Sequence, residues 1–299
     1  MSLYGGIEAG GTKFVCAIGS SPEDLQNEVR FETTSPKETI NRTLEYFKEQ
    51  NLKEKLLSIG IGAFGPVELN RDSSNYGFIT STPKPGWNNI NIYGLIKEEL
   101  KIPVGFNTDV NAAALGEYEW GAGQGLNNFI YLTIGTGIGG GAIINGRLLH
   151  GLQHPEMGHI FIPQDTKADP YEGNCPFHKN CFEGLASGPA MKNRWGKSPE
   201  DLNKNHKAWD LEVQYISLAL TNYICTFSPE RIIIGGGIME QKNLLPLIHS
   251  SVKKMLNNYI HMEEFTDNIE KYIVLPSLGK KAGILGALVL AKKEYIKCK

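Results

Sequence analysis

Residues 4–18 have the sequence YGGIEAGGTKFVCAI, in which two apolar runs flank the segment Ala9-Gly-Gly-Thr-Lys13. Short apolar runs on either side of a glycine pair predict two β-strands joined by a tight turn. Because glycine lacks a Cβ, the backbone of such a turn can approach an anion closely and point N–H groups at it. The segment therefore predicts a strand hairpin whose turn is a candidate phosphate loop.

The same pattern returns in the second half of the chain. Residues 129–146 are again strand-like on both sides of Gly135-Thr-Gly-Ile-Gly-Gly-Gly141. After each hairpin, apolar strands alternate with amphipathic helices, and two halves built this way favour a duplicated α/β architecture. The expected domain ranges are 1–118, completed by a C-terminal helix at 282–297, and 119–281, which carries a metal-binding loop.

Composition narrows the class of protein. The chain has 299 residues, of which 41% are apolar and 21% charged, as in a soluble globular protein long enough for two domains. A net charge of −2 offers no basic field for nucleic acid or an anionic membrane. No apolar run has the length of a membrane span, and no signal-peptide pattern is present. We therefore expect a cytoplasmic protein with neither nucleic-acid nor membrane partners.

Three glycine bends are candidate nucleotide-binding elements. They are Gly10-Gly11, Gly135–Gly141 and Gly235-Gly236-Gly237, and each ends an apolar strand. None has the Gly-Lys-Ser/Thr ending of a Walker A loop, and the first two lead into a strand instead of the helix of a dinucleotide fingerprint. One such bend is more often an ordinary turn. The three together favour nucleotide binding.

Residues 107–114, NTDVNAAA, place Asp109 where a strand ends and a helix begins. One interpretation is that Asp109 occupies the capping position of the helix. The other is that it is a catalytic base, kept ionised by the helix dipole. Phosphoryl transfer has a loose transition state, so a weak base that orients a hydroxyl is sufficient. The pattern leaves both interpretations open.

The segment Cys175-Pro-Phe-His178-Lys-Asn-Cys181 contains three metal ligands, with two residues between neighbouring ligands, in a turn-rich loop. His159 could complete a tetrahedral set, and four protein ligands would make the zinc structural. The alternative is two unrelated thiols and a surface histidine. The five cysteines are odd in number and unevenly spaced, which favours reduced thiols. In such a chain the close spacing of Cys and His favours zinc.

In this order, the motifs resemble the ROK family of sugar kinases and repressors over nearly the whole chain. Residues 8–13 are similar to the family's first phosphate motif, 108–111 to its catalytic-base motif and 135–140 to its second phosphate motif. Glu156-Met-Gly-His159 is similar to its Glu-x-Gly-His sugar signature, and the Cys/His cluster falls at its zinc site. The resemblance implies two actin-like, ribonuclease H-like α/β domains with ATP and sugar in an interdomain cleft, and a homodimer.

The resemblance also implies roles for individual residues. Asp109 would accept the proton of the attacking sugar hydroxyl, and His159 would serve both the sugar and the metal. Residues implied to bind ATP with Mg²⁺ are Gly10, Gly11, Thr12, Lys13, Thr133, Gly135, Thr136, Gly137, Pro189, Gly235, Gly236 and Gly237. Residues implied to bind the sugar are Gly65, Thr108, Asp109, Glu156, His159 and Glu183. The implied ligands of a structural Zn²⁺ are His159, Cys175, His178 and Cys181.

Four features resemble the fructokinase branch of the family. Glu8 and Thr108 stand where many members have Asp and Asn, and they accompany the Cys-x-x-His-x-x-Cys spacing and Pro85-Gly-Trp87. We therefore expect ATP-dependent phosphorylation of D-fructose to fructose 6-phosphate, a step of carbohydrate metabolism.

Three other functions are compatible with parts of the pattern. The nearest is another ROK hexokinase, acting on mannose, glucose or an N-acetylhexosamine. A second is a sugar-responsive repressor lacking its DNA-binding domain, although only seven residues precede Glu8, where repressors carry a helix-turn-helix. A third is an actin-like ATPase or filament protein, which would need neither the base nor the Glu-x-Gly-His element.

Overall fold

Residues 2–299 are described by a computed structural model, in which ten β-strands form two five-stranded sheets. The strand order is β3-β2-β1-β4-β5 in the first sheet and β10-β9-β6-β7-β8 in the second. The strands are β1 Tyr4–Ala9, β2 Lys13–Gly19, β3 Gln26–Glu32, β4 Ile59–Ala63, β5 Val104–Thr108, β6 Phe129–Ile134, β7 Ile138–Ile144, β8 Arg147–Leu148, β9 Arg231–Gly235 and β10 Ile273–Val274.

The two sheets have the same topology. In the first, β1 pairs antiparallel with β2 and parallel with β4, which pairs parallel with β5. In the second, β6 pairs antiparallel with β7 and parallel with β9, which pairs parallel with β10. The predicted α/β fold and the hairpin that opens each half are confirmed. Strand β3 was not predicted, because QNEVRFE is largely polar and lacks the apolar alternation of a half-buried strand.

Ten α-helices accompany the sheets in the described part of the chain. They are α1 Pro36–Lys53, α2 Ile92–Leu100, α3 Asp109–Trp120, α4 Phe182–Ala186, α5 Gly188–Trp195, α6 Ala208–Phe227, α7 Leu244–Leu256, α8 Glu263–Thr266, α9 Ile269–Tyr272 and α10 Ala282–Lys297. None of these helices combines the length and the apolarity that crossing a bilayer requires.

The chain divides into two units, each with one of the sheets. The first unit contains the residues up to Gln124 together with Leu148–Pro155 and Ser277–Lys299. The second contains Gly125–Arg147 and Glu156–Pro276. Each unit therefore consists of separate stretches of chain.

The unit boundaries differ from the ranges expected from the sequence. Three segments expected in the second domain lie in the first unit instead: 119–124, 148–155 and 277–281. Hydrogen bonds between distant residues hold the last two there: His154 bonds to the Val67 amide, and the Glu117 carboxylate bonds to the Leu278 amide. Contacts between residues so far apart in the chain leave no trace in a local sequence pattern.

The sequence of β4, Ile59-Gly-Ile-Gly-Ala63, explains how the first sheet is covered. Side chains alternate between the two faces of a strand. Ile59 and Ile61 belong to the apolar core that also includes Phe47 of α1. On the other face, a Cβ at Gly60 would collide with the backbone of α10, so glycine lets that helix pack directly on the sheet. The result is a sheet with helices on both faces, whose strand ends remain free to carry functional residues.

Candidate active site and metal centre

In the first unit, the parallel strands β1, β4 and β5 end at one edge of the sheet. The register places Ala9 opposite Ala63, and Ala63 opposite Thr108. The segments that follow these strands therefore start side by side: the Gly10–Lys13 turn, the Gly65 turn and Asp109. Ligands of open α/β sheets bind outside the carboxyl ends of the strands. The edge is thus the place in this unit where Asp109 and the Gly10–Lys13 turn come together.

Thr108, and not Asp109, caps helix α3. Thr108 has extended dihedral angles (φ −69°, ψ 156°), and its hydroxyl accepts a 3.1 Å hydrogen bond from the Asn111 amide. Asp109 is the first helical residue, and its Oδ1 accepts a 2.8 Å bond from the Val110 amide. The interpretation that Asp109 occupies the capping position is therefore wrong. Because the cap is supplied by its neighbour, the Asp109 carboxylate is not needed for that role.

The protein environment raises the pKa of two carboxyl groups at this edge. Burial raises the pKa of Asp109 from 3.8 to about 6, although the amide bond from Val110 opposes the shift. Burial also raises the pKa of Glu8 to about 7, with a further rise from the negative charge of Asp109 and an opposing effect of Lys13. A base is most effective when its pKa lies near the working pH. Asp109 is therefore ionised at neutral pH and basic enough to take a proton.

The first glycine turn is held by backbone hydrogen bonds. The Gly10 amide donates to the Lys13 carbonyl (3.0 Å), and the Thr33 hydroxyl donates to the Gly10 carbonyl (2.6 Å). A Cβ on Gly10 would lie 2.8 Å from the Lys13 carbonyl oxygen, so this position requires glycine. The side chains of Thr12 and Lys13 are exposed. The turn thus presents a hydroxyl and an ammonium group to any anion bound there.

The turn that contains Gly65 is fixed from two sides. The Pro66 carbonyl accepts a 2.8 Å bond from the Thr80 amide, and the Val67 amide donates a 3.1 Å bond to Nε2 of His154. Sequence reasoning missed His154, because its partner is 87 residues away in the chain. The only local signal is that His154 precedes the Pro-Glu-Met-Gly-His segment.

The second unit brings the other two glycine bends together. Thr133 on β6 lies opposite Gly235 on β9, so the bends that follow these strands are neighbours. Gly236 has a φ of +94°, which favours glycine. The Gly188 amide, at the start of α5, donates a 2.8 Å bond to the Gly135 carbonyl. The predicted nucleotide-binding residues collected in this region are Thr133, Gly135, Thr136, Gly137, Pro189, Gly235, Gly236 and Gly237.

Glu183 connects the second glycine bend with the histidine of the sugar signature. Its Oε2 accepts a 2.9 Å bond from the Ile138 amide, and a Cβ on Gly137 would lie 2.8 Å from that oxygen. Its Oε1 lies 4.0 Å from Nε2 of His159. The His159 amide in turn donates a 3.0 Å bond to the Glu156 carbonyl. Glu183 and His159 thus lie near each other, and Glu156 is linked to His159 through the backbone.

His159, Cys175, His178 and Cys181 form a cluster in which the four ligand atoms lie within 4.8 Å of one another. Nδ1 of His159 is 3.4 Å from Sγ of Cys181 and 3.8 Å from Sγ of Cys175, which is 3.7 Å from Nδ1 of His178. A tetrahedral zinc with bonds of about 2.3 Å to sulfur and about 2.0 Å to nitrogen would space neighbouring S and N ligands by roughly 3.6 Å. The cluster therefore fits a tetrahedral metal ion.

The orientation of His159 also fits a metal ligand. Its Nδ1 belongs to the cluster, and its Nε2 faces the Glu183 carboxylate. Histidine ligands commonly donate their second ring N–H to a carboxylate, which orients the ring and strengthens the ligand. Both thiol groups of the cluster, those of Cys175 and Cys181, are buried. Sulfur and imidazole ligands in a closed set of four are typical of a structural site.

Comparison with known proteins decides the family. The family model described as "ROK family" matches residues 4–294. The chain belongs to the ROK family. The ROK membership predicted from the order of the motifs is therefore confirmed.

Individual ROK relatives match over almost the whole chain. A protein of Bacillus subtilis (strain 168) is 52% identical over 97% of this chain and 95% of its own length. A protein of Lactococcus lactis subsp. cremoris named "Fructokinase" is 46% identical over 98% of each chain. A solved ROK hexokinase from Thermus thermophilus has a TM-score of 0.79 and 25% identity, covering 99% of this chain and 100% of that one. The two-domain α/β fold expected for a ROK protein is therefore confirmed.

Proposed function

We propose that this ROK protein is an ATP-dependent fructokinase that converts D-fructose to fructose 6-phosphate with Asp109 as the base. The observation that carries the proposal is the position of Asp109. Its carboxylate, with a pKa of about 6, follows β5 at the sheet edge where the Gly10–Lys13 turn follows β1. The 46% identity to the Lactococcus lactis fructokinase supports fructose as the sugar.

Asp109 would act by taking the proton of the sugar hydroxyl. As the hydroxyl oxygen bonds to phosphorus, the bond from phosphorus to the leaving ADP oxygen breaks, and the hydroxyl proton passes to the Asp109 carboxylate. The proton then leaves to solvent, which restores the base. Because the transition state is loose, orientation of the hydroxyl contributes more than strong basicity. The Thr108 cap and the Val110 amide bond hold the carboxylate in a fixed position for this purpose.

The glycine bends would hold the nucleotide. ATP with Mg²⁺ supplies the transferred phosphoryl group and the metal charge that neutralises its phosphates. In the first unit, the Gly10–Lys13 turn offers the exposed Lys13 ammonium and Thr12 hydroxyl. In the second unit, we assign the phosphates to the bend at Gly135–Gly137, and the adenosine to Gly235–Gly237 and Pro189. Thr133 is included because it lies opposite Gly235.

Polar side chains would select the sugar. We assign sugar hydroxyls to Glu156, His159 and Glu183, whose side chains are neither fully buried nor fully exposed. Gly65 and Thr108 are also assigned to sugar binding. A site built to hydrogen-bond hydroxyl groups rejects sugars that leave its polar groups unpaired.

The Cys/His cluster would hold a structural Zn²⁺. Its four ligands leave no open coordination position, so the ion would stabilise the loop that carries His159 and Glu183 instead of activating water. We also infer from the family that the protein is a cytoplasmic homodimer with no nucleic-acid partner. Light scattering on the purified protein would test the dimer, and a monomer would contradict it.

The test of the function combines a base variant with a panel of sugars. Asp109→Asn should abolish phosphorylation of fructose while ATP binding remains, since only the proton acceptor is lost. Asp72→Asn, which removes an exposed carboxylate of the same unit, is the matched control and should leave turnover unchanged.

The sugar panel should contain fructose, mannose, glucose and N-acetylglucosamine with Mg-ATP. Fructose should have the highest kcat/KM. A higher value for another hexose would assign the protein to another ROK hexokinase activity, and undiminished turnover of Asp109→Asn would remove Asp109 from the base role.

A further inference from the structure

His154 belongs to none of the motifs discussed above, yet it is buried, with only 4% of its surface exposed. It lies on the segment Leu148–Pro155, which is part of the first unit although the chain on either side belongs to the second. Its Nε2 accepts a 3.1 Å hydrogen bond from the Val67 amide. The ring also packs on Gly65: a Cβ there would lie 3.5 Å from Cε1 of His154. One imidazole therefore supports the Gly65 turn by both a hydrogen bond and van der Waals contact.

The bond to Val67 requires a neutral imidazole. A nitrogen that accepts a hydrogen bond carries no proton, so the ring proton must be on Nδ1. Burial lowers the pKa of His154, and the nearby His150 lowers it further. The backbone of Pro155 and the carboxylate of Glu68 oppose this shift. The net direction is downward, so the acceptor is present at neutral pH and is lost only as the solution becomes acidic.

The supported turn lies next to the proposed base. The turn follows β4 and Asp109 follows β5, and the register places Ala63 opposite Thr108 at the ends of these strands. The Val67 amide is buried, so loss of its acceptor would leave an N–H group without a partner away from water. The turn would then rearrange to recover a bond, and its position relative to Asp109 would change.

We propose that His154 is a positioning residue for sugar phosphorylation, whose ring nitrogen holds the Gly65 turn in the conformation that receives the sugar beside Asp109. The inference rests on the proposed function, because the turn matters only if a sugar binds there. It assigns a role to the segment Leu148–Pro155, which delivers this imidazole to the first unit.

Two substitutions at His154 distinguish a role in positioning the Gly65 turn from a role in core packing alone. His154→Phe keeps a ring of similar size but removes the acceptor, and we expect the KM for fructose to rise about tenfold, with a smaller change in the KM for ATP. His154→Gln keeps an acceptor, its side-chain carbonyl oxygen, that cannot be protonated at these pH values. This variant should have a KM for fructose close to that of the wild type at pH 7.5. Leu152→Ala, at a fully exposed and uncharged position of the same segment, is the control and should behave as the wild type.

The pH dependence supplies a readout that packing alone would not change. In the wild type, the KM for fructose should rise as the pH falls below 6.5 towards the lowest pH at which the protein stays folded, because His154 becomes protonated below the ordinary imidazole pKa. In His154→Gln the rise should be smaller, and the difference isolates His154 because Asp109 titrates in both proteins. If His154→Phe does not fold, the comparison of the wild type with His154→Gln tests the inference without it. Equal pH profiles, or an unchanged fructose KM in a folded His154→Phe, would overturn the inference. A wild-type protein that phosphorylates no sugar would instead refute the proposed function.

Discussion

The carboxylate of Glu117 accepts a 2.9 Å hydrogen bond from the Leu278 amide, 161 residues away in the chain. The same carboxylate accepts bonds from the amides of Ser277 (3.1 Å) and Ala122 (2.7 Å), and it is fully buried. Gly121 has no side chain and leaves room for it. One acidic group on α3 thus satisfies three backbone donors and ties the end of that helix to the segment that leads into α10.

Glu117→Gln should destabilise the first unit. Glutamine has only one acceptor oxygen, and its NH₂ group would face an N–H donor that it cannot satisfy. Loss of charge-assisted bonds to buried donors predicts a decrease of about 2–4 kcal/mol in the free energy of unfolding. Urea unfolding followed by intrinsic fluorescence would measure it.

The matched control for Glu117→Gln is Glu119→Gln on the same helix. Glu119 forms a partly exposed salt bridge of 3.3 Å with Lys292. Such pairs contribute roughly 0–1 kcal/mol, so the control should change stability little. Equal effects of the two substitutions on the free energy of unfolding would show that the buried bonds of Glu117 contribute no more to stability than the salt bridge of Glu119.

The activity of the protein should fall in acid because the proposed base becomes protonated. The pKa of Asp109 is raised from 3.8 to about 6, so the ionised fraction is nearly complete at pH 8 and declines as the pH passes below 6. We expect kcat/KM for fructose to decrease about tenfold for each further pH unit. Initial rates between pH 5 and pH 8 would test this. Rates that stay constant down to pH 5 would mean that burial does not raise the pKa of the base in the working enzyme.

The contrast between Asp109 and His154 indicates what the sequence can predict. The turn at Gly10–Lys13 and the Cys/His cluster are local patterns, and the chemistry of glycine, cysteine and histidine made both predictable. The capping role of Thr108 was missed, because Thr and Asp are both common N-caps and only the dihedral angles distinguish them. The partner of His154 was unpredictable, since a hydrogen bond between residues 87 positions apart depends on the tertiary fold.

Glu8→Gln should remove a loss of stability that the wild-type protein undergoes as the pH rises. Burial and the charge of Asp109 raise the pKa of Glu8 from 4.5 to about 7 in the folded protein. The folded state therefore binds the proton more tightly than the unfolded state, and stability decreases as the pH rises from about 4.5 to about 7. Glutamine resembles the protonated form and does not titrate. We expect Glu8→Gln to gain about 2–3 kcal/mol relative to the wild type between pH 4.5 and pH 8.

The gain from Glu8→Gln is measured by denaturation at several pH values. Glu32→Gln, on the exposed edge strand β3, is the matched control, and its stability should follow the wild type at every pH. A stability difference between Glu8→Gln and the wild type that does not vary with pH would show that folding does not raise the pKa of Glu8.

Removal of one thiol ligand should cost both the metal and the stability of the loop. Cys181 is buried and its Sγ lies 3.4 Å from Nδ1 of His159, so Cys181→Ser replaces a thiolate ligand by a poorer one within the cluster. We expect about one zinc per chain in the wild type and a strongly reduced zinc content in the variant. The melting temperature should fall in parallel, because binding energy at a structural site contributes to folding.

Cys225→Ser, at an exposed cysteine of α6, is the control and should change neither the zinc content nor the melting temperature. Metal analysis and thermal unfolding of the three proteins provide the measurement. A wild-type protein that contains no zinc, or a Cys181→Ser variant with an unchanged melting temperature, would contradict a structural zinc site.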